Sequence, residues 1–135
     1  MNVSSNQCAV FTVLINLLFI AFTSPVLADV NNYEFQLVQE EVQKGNDIII
    51  SVRLLDKTTG EAVPDAVIFI KRIDMAPDDM ATMDAPLEEL PALEPGVYRF
   101  RTSLIMAGGW QLSLAAKIQG EEGTLESRLI LKALP

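Results

Sequence analysis

From Trp110 to Gln119 the chain alternates strictly. Trp110, Leu112, Leu114, Ala116 and Ile118 share one parity, and Gln111, Ser113, Ala115, Lys117 and Gln119 the other. A period of two belongs to an extended strand with one buried face, and a helix of 3.6 residues per turn would scatter the same residues around its circumference. The period recurs where Ile48, Ile50, Val52 and Leu54 alternate with Ile49, Ser51, Arg53 and Leu55. That run stops at Asp56-Lys57-Thr58-Thr59-Gly60, residue types that favour a tight reversal. Residues 33–40, 66–73, 97–104 and 124–132 also read as strands, the last turning Leu125, Leu129 and Leu131 to one side. Six or seven strands, separated by Gly, Pro and acidic turns and accompanied by no amphipathic helix beyond residue 28, predict an all-β fold. The architecture expected is an immunoglobulin-like antiparallel β-sandwich, with a small barrel as the alternative.

Residues 9–23 differ in kind. They form an apolar run broken only by threonines and Asn16, followed by Pro25 and then Val26-Leu27-Ala28. This is the pattern of a signal-peptide helix cleaved before Asp29, so the chain divides into a signal peptide, 1–28, and one exported domain, 29–135. The leading residues MNVSSNQC carry no Lys or Arg, and a spanning helix needs about twenty apolar residues, which 8–28 barely supply. The alternative is therefore an uncleaved N-terminal anchor, which would be the domain's one contact with a membrane. Cys8 precedes the apolar run instead of ending it, which argues against lipid attachment there. It is also the sole cysteine, and the chain has no histidine, so residues 29–135 contain no disulfide and must be held by packing. Their length suffices for a single core.

All ten Lys and Arg and all eighteen Asp and Glu follow residue 28, giving a net charge of −8. Nucleic-acid binding needs a basic surface, which excludes that class. Catalysis by a nucleophile and its base is largely removed by the lack of Cys and His in this region. The carboxylate pairs Asp78-Asp79 and Glu88-Glu89 are sequence neighbours, not acids fixed on opposite walls of a cleft. A non-enzymatic protein is expected.

Between the third and fourth of these strands, Asp74–Pro95 holds four prolines, four aspartates, three glutamates and three methionines, and it reads as one long loop. Met75, Met80 and Met83 place three thioethers within nine residues, among carboxylates. Soft sulfur ligands select Cu(I), which makes these methionines candidate metal ligands. Asp74, Asp79 and Trp110 would supply further contacts, the indole through a cation–π interaction. Two plainer readings stand beside this one. Methionines are adaptable hydrophobes that fill irregular gaps, and Trp110 suits the plug of a sandwich core. An oxygen-rich loop could take Ca²⁺ weakly, but no EF-hand spacing supports it. Gly108-Gly109 and Gly96 are expected to reverse the chain with positive φ.

Taken together, VRLLDKTTGEAVPDAVIFIKRIDM, the methionine-rich segment and EPGVYRFRTSLIMAGGWQLSLAAKIQGE resemble the FixH-like and YtkA-like group of small bacterial envelope domains, over residues 47–132. The pieces that carry the resemblance are Asp56–Gly60, Pro64-Asp65-Ala66, Gly96-Val97-Tyr98 and Met106-Ala107-Gly108-Gly109-Trp110. With the signal segment, the resemblance implies a periplasmic immunoglobulin-like domain with a role in copper or silver efflux or copper homeostasis. It also implies partners among metal-efflux periplasmic adaptors or copper-oxidase assembly proteins. A metal-free interaction module docking on such a partner, by a sheet edge or by the acidic loop, is the alternative function.

Overall fold

The computed structural model describes residues 29–135, so the expected signal segment 1–28, its expected cleavage point and Cys8 lie outside the described residues. Nine strands are described: β1 Tyr33–Leu37, β2 Glu41–Gln43, β3 Gly45–Asp56, β4 Val67–Met75, β5 Met80–Ala85, β6 Leu87–Leu90, β7 Val97–Leu104, β8 Gly108–Lys117 and β9 Leu125–Leu134. They form a four-stranded sheet ordered β1-β3-β7-β6 and a five-stranded sheet ordered β2-β9-β8-β4-β5. In immunoglobulin lettering these are A-B-E-D and A′-G-F-C-C′, and every pair is antiparallel except β2 with β9. The fold is the expected immunoglobulin-like sandwich.

Period-two alternation sets which side chains lie between the sheets. Trp110, Leu112, Leu114, Ala116 and Ile118 are all buried, as are Ile50, Val52 and Leu54 on β3 and Phe35, Tyr98 and Phe100 from β1 and β7. Phe35 and Tyr98 meet edge to face with centroids 6.2 Å apart. Among the described residues, the two sheets enclose one continuous hydrophobic core.

The segment Asp74–Pro95 corrects the sequence reading. It is not one loop but a 3-10 turn at Ala76–Asp78 and two strands. β5 pairs with β4 only at Ile73, Asp74 and Met75, and the register jumps there: Asp74 faces Asp84, while Met75 faces Met80. Three residues of β5 thus bulge against a single step of β4. Pro86 then ends β5, having no N–H for a ladder, and the chain crosses to the opposite sheet as β6, paired with β7 from Leu87↔Thr102 to Leu90↔Arg99. The Thr102 hydroxyl donates to the Pro86 carbonyl at 2.7 Å and holds the crossing. β5 and β6, with the three-residue β2, raise the strand count above the six or seven expected.

At the end of the sandwich where β4 and β7 begin, the Tyr98 hydroxyl accepts from the Ala66 N–H at 3.0 Å and donates to the Val63 carbonyl at 2.9 Å. Gly96, at φ +80°, lies so close to the same segment that a Cβ there would meet Ala62 Cβ. Pro64-Asp65-Ala66 and Gly96-Val97-Tyr98 are thus two halves of one clasp.

Candidate functional site

The far end of β4 carries the methionines. Met75 closes β4 with none of its surface exposed and belongs to the central core. Its cross-strand partner Met80 is half-buried and packs on that core from β5. Met83 lies in the bulged part of β5 and is 38% exposed. The three thioethers are therefore divided among core, core margin and solvent. Trp110 is buried, with its indole N–H donating to the Met106 carbonyl at 3.1 Å. Asp79 is exposed in a left-handed conformation, φ 58°, that ends the 3-10 turn.

The neighbouring aspartates hold the hairpin in shape. Asp74 is 5% exposed and receives Arg72 Nε at 2.8 Å and the Ala76 N–H at 2.9 Å. The same guanidinium reaches Asp84 at 3.1 Å and the Ala81 carbonyl at 2.8 Å, so one arginine spans the whole bulge. Its hydrogen bond to Asp74, chiefly, raises the Arg72 pKa above its ordinary value and keeps it charged. Asp78 accepts the Gly109 N–H at 3.0 Å. A Cβ at Gly108 would collide with the Asp78 carboxylate and press on Met75, and one at Gly109 would meet Pro77, so the double glycine is the surface on which this hairpin lies. Among the described residues no group of three His, Cys, Asp or Glu side chains converges in a metal-holding arrangement.

The near half of β4 contrasts with this. β5 leaves at Ile73, so among the described residues Val67–Arg72 have a ladder partner, β8, on one side only. Val67 is 61% exposed, Phe69 51% and Ile70 52%. Phe69 is the extra residue of a bulge between Ile68 and Ile70, which turns it outward beside Ile70. Beside Ile70 and Arg72, β8 presents the small residues Ala115 and Ser113, with Lys117 beside Val67, and beyond it β9 carries Glu126 and Arg128, so a shallow trough runs along this part of β8. Lys71 reaches across the margin of the sandwich to Glu89 at 3.4 Å. These exposed residues were not singled out from the sequence. Their signal was the unbroken apolar run Val67-Ile68-Phe69-Ile70, where alternation lapses beside two cations.

Comparison with solved structures finds a likeness to the Lin-41 filamin domain, 14% identical, covering 76% of this chain and 92% of that one with a TM-score of 0.47. A conjugative transposon lipoprotein from Bacteroides eggerthii is 12% identical, with coverage of 74% and 96% and a TM-score of 0.34. No curated protein matches. A family model described as YtkA-like matches residues 27–115.

Proposed function

The chain belongs to the YtkA-like family, and from that premise we propose that it is a non-catalytic accessory domain, exported to the periplasm, that works by docking on another protein of the envelope. The observation that carries this reading is the open half of β4. A strand edge that is free on one side among the described residues, with three large apolar side chains more than half exposed, is a surface that association would cover. A metal-efflux adaptor or a copper-oxidase assembly protein is the kind of partner implied by the resemblance in sequence. The test is co-purification from cells of the envelope proteins bound by the wild-type chain and by Ile70→Lys, a change on the exposed face that leaves the core intact. Specific partners should be lost from the variant. Their retention would refute docking through β4.

A second reading, binding of Cu(I), draws support from one geometric fact: Met75 and Met80 are directly opposed across the hairpin, so two thioethers start in register. Loading would have to draw Met75 out of the core, which lowers the affinity to be expected. An anaerobic Cu(I) titration of residues 29–135, beside the Met75→Leu, Met80→Leu, Met83→Leu triple variant, tests this. Uptake of one equivalent by the wild type alone would support the site, and no uptake by either would assign the methionines to packing.

A further inference from the structure

The outer face of the five-stranded sheet has a pattern that a single copy leaves unused. Strand pairing aligns Ile70, Ala115 and Glu126 in one row across β4, β8 and β9, and Arg72, Ser113 and Arg128 in the next. Ala115 is 3% exposed although it lies on this outer side, because Ile70 and its neighbours stand above it as the walls of the trough. Glu126 and Arg128 lie two residues apart on the same side of β9, and neither has an ion-pair partner among the described residues. Two opposite charges side by side without pairing, next to an apolar strip, form a self-complementary surface.

We infer that this face docks a second copy of the chain. A two-fold axis running across the strands between the two rows lays β8 over β8 and β9 over β9 in antiparallel fashion. Glu126 then meets Arg128 of the second copy and Arg128 meets its Glu126, as an isologous contact requires. Ala115 sits over Ser113, two small residues that permit the usual face-to-face sheet spacing of about 10 Å. Phe69 and Ile70 cover the stem of Arg72 of the second copy, where the aromatic ring can face a cation. The net charge of −8 on each copy opposes association, but much of it lies away from this face. Asp56, Glu61, Asp65, Glu94, Glu121 and Glu122 all gather at the end of the sandwich where β4 and β7 begin. Beyond about 8 Å such repulsion is screened at physiological salt, while the Glu126 and Arg128 contacts act at short range. The inference goes beyond the docking proposed above, since β8 and β9 supply its determining residues; the two occupants share Phe69 and Ile70 and so exclude one another there, while the backbone edge of β4 stays open in each copy.

The experiment is sedimentation equilibrium of residues 29–135 from micromolar to millimolar concentration, with Glu126→Arg, Arg128→Glu and the double exchange. The wild type should dimerise, each single variant should weaken the dimer about tenfold or more because the altered contact occurs twice, and the double exchange should restore it. Near-ultraviolet circular dichroism of the buried Trp110 checks that each variant is folded. A wild type that stays monomeric throughout would overturn the inference, and so would a dimer indifferent to the two single variants. Failure here, with partners still lost from Ile70→Lys, would leave the docking function standing and remove only the second copy.

Discussion

The two halves of β4 share one strand and have opposite fates. Its far half, Ile73–Met75, is covered by β5, clamped by Arg72 and closed over by the 3-10 turn and the double glycine. Its near half, Val67–Arg72, is bare on one side among the described residues and turns Val67, Phe69 and Ile70 outward. The covered half holds the residues that look functional in the sequence, methionines and aspartates. The bare half holds ordinary strand formers. Unusual composition here coincides with the covered half, and the exposed apolar surface is written in common β-branched and aromatic residues.

The difference can be broken most severely at Met75. Met75→Ala should empty a filled core position and cost about 2–5 kcal/mol, measured by chemical denaturation, whereas Met75→Leu, nearly conserving volume, should cost under about 1.5 kcal/mol. A small effect of the alanine would mean that Met75 is free to leave the core, and would favour the metal reading.

A smaller effect is expected at the Tyr98 clasp, which fixes the entry to the bare half. Tyr98→Phe removes both the donor to Val63 and the acceptor for Ala66, for about 1–3 kcal/mol. Burial, first, raises the Tyr98 phenol above its ordinary value of 10.0. The folded state thus keeps its proton after the unfolded chain has lost it. This contribution is whole below pH 10 and declines as pH rises through the folded value. Wild type should therefore lose stability more steeply than Tyr98→Phe in alkaline denaturation curves. Tyr33, raised chiefly by its hydrogen bond to Glu121, titrates in the same direction and is common to both proteins.

The smallest change should come from the bare half itself. Ile70→Lys is expected to alter stability by no more than about 0.5 kcal/mol, although it replaces a large hydrophobe in a strand. A loss comparable with Met75→Ala would mean that Ile70 is covered within the chain.

The sandwich was legible because alternation is a local signal that packing reinforces: Trp110 to Ile118 and Ile48 to Leu54 point inward as their parity requires. β5 and β6 were not legible. Met80-Ala81-Thr82-Met83-Asp84-Ala85 and Leu87-Glu88-Glu89-Leu90 are poor in β-branched residues and flank a proline. They are strands only because β4 and β7 offer them ladders from far along the chain. The same non-local cause hid the candidate surface. Alternation cannot say where a neighbouring strand departs, and it is the crossing at Pro86 that leaves the backbone edge of Val67–Arg72 without β5 as a ladder partner. The clasp was partly legible as motif pieces, but that Gly96-Val97-Tyr98 grips Pro64-Asp65-Ala66 is a tertiary fact. Trp110 met its plainer expectation, a core plug, though it stands on the strand lettered F and not on C.

The most direct measurement compares the two halves inside the cell. A photo-cross-linking amino acid is placed at Phe69 on the bare half of β4 and, separately, at the exposed Thr82 on the covering strand β5, and the exported chain is irradiated. Discrete cross-linked species from position 69 that contain a protein other than a second copy of the chain, and none from position 82, are the expected result. Species from position 82 with none from position 69 would contradict docking through β4 and return the function to the methionine hairpin.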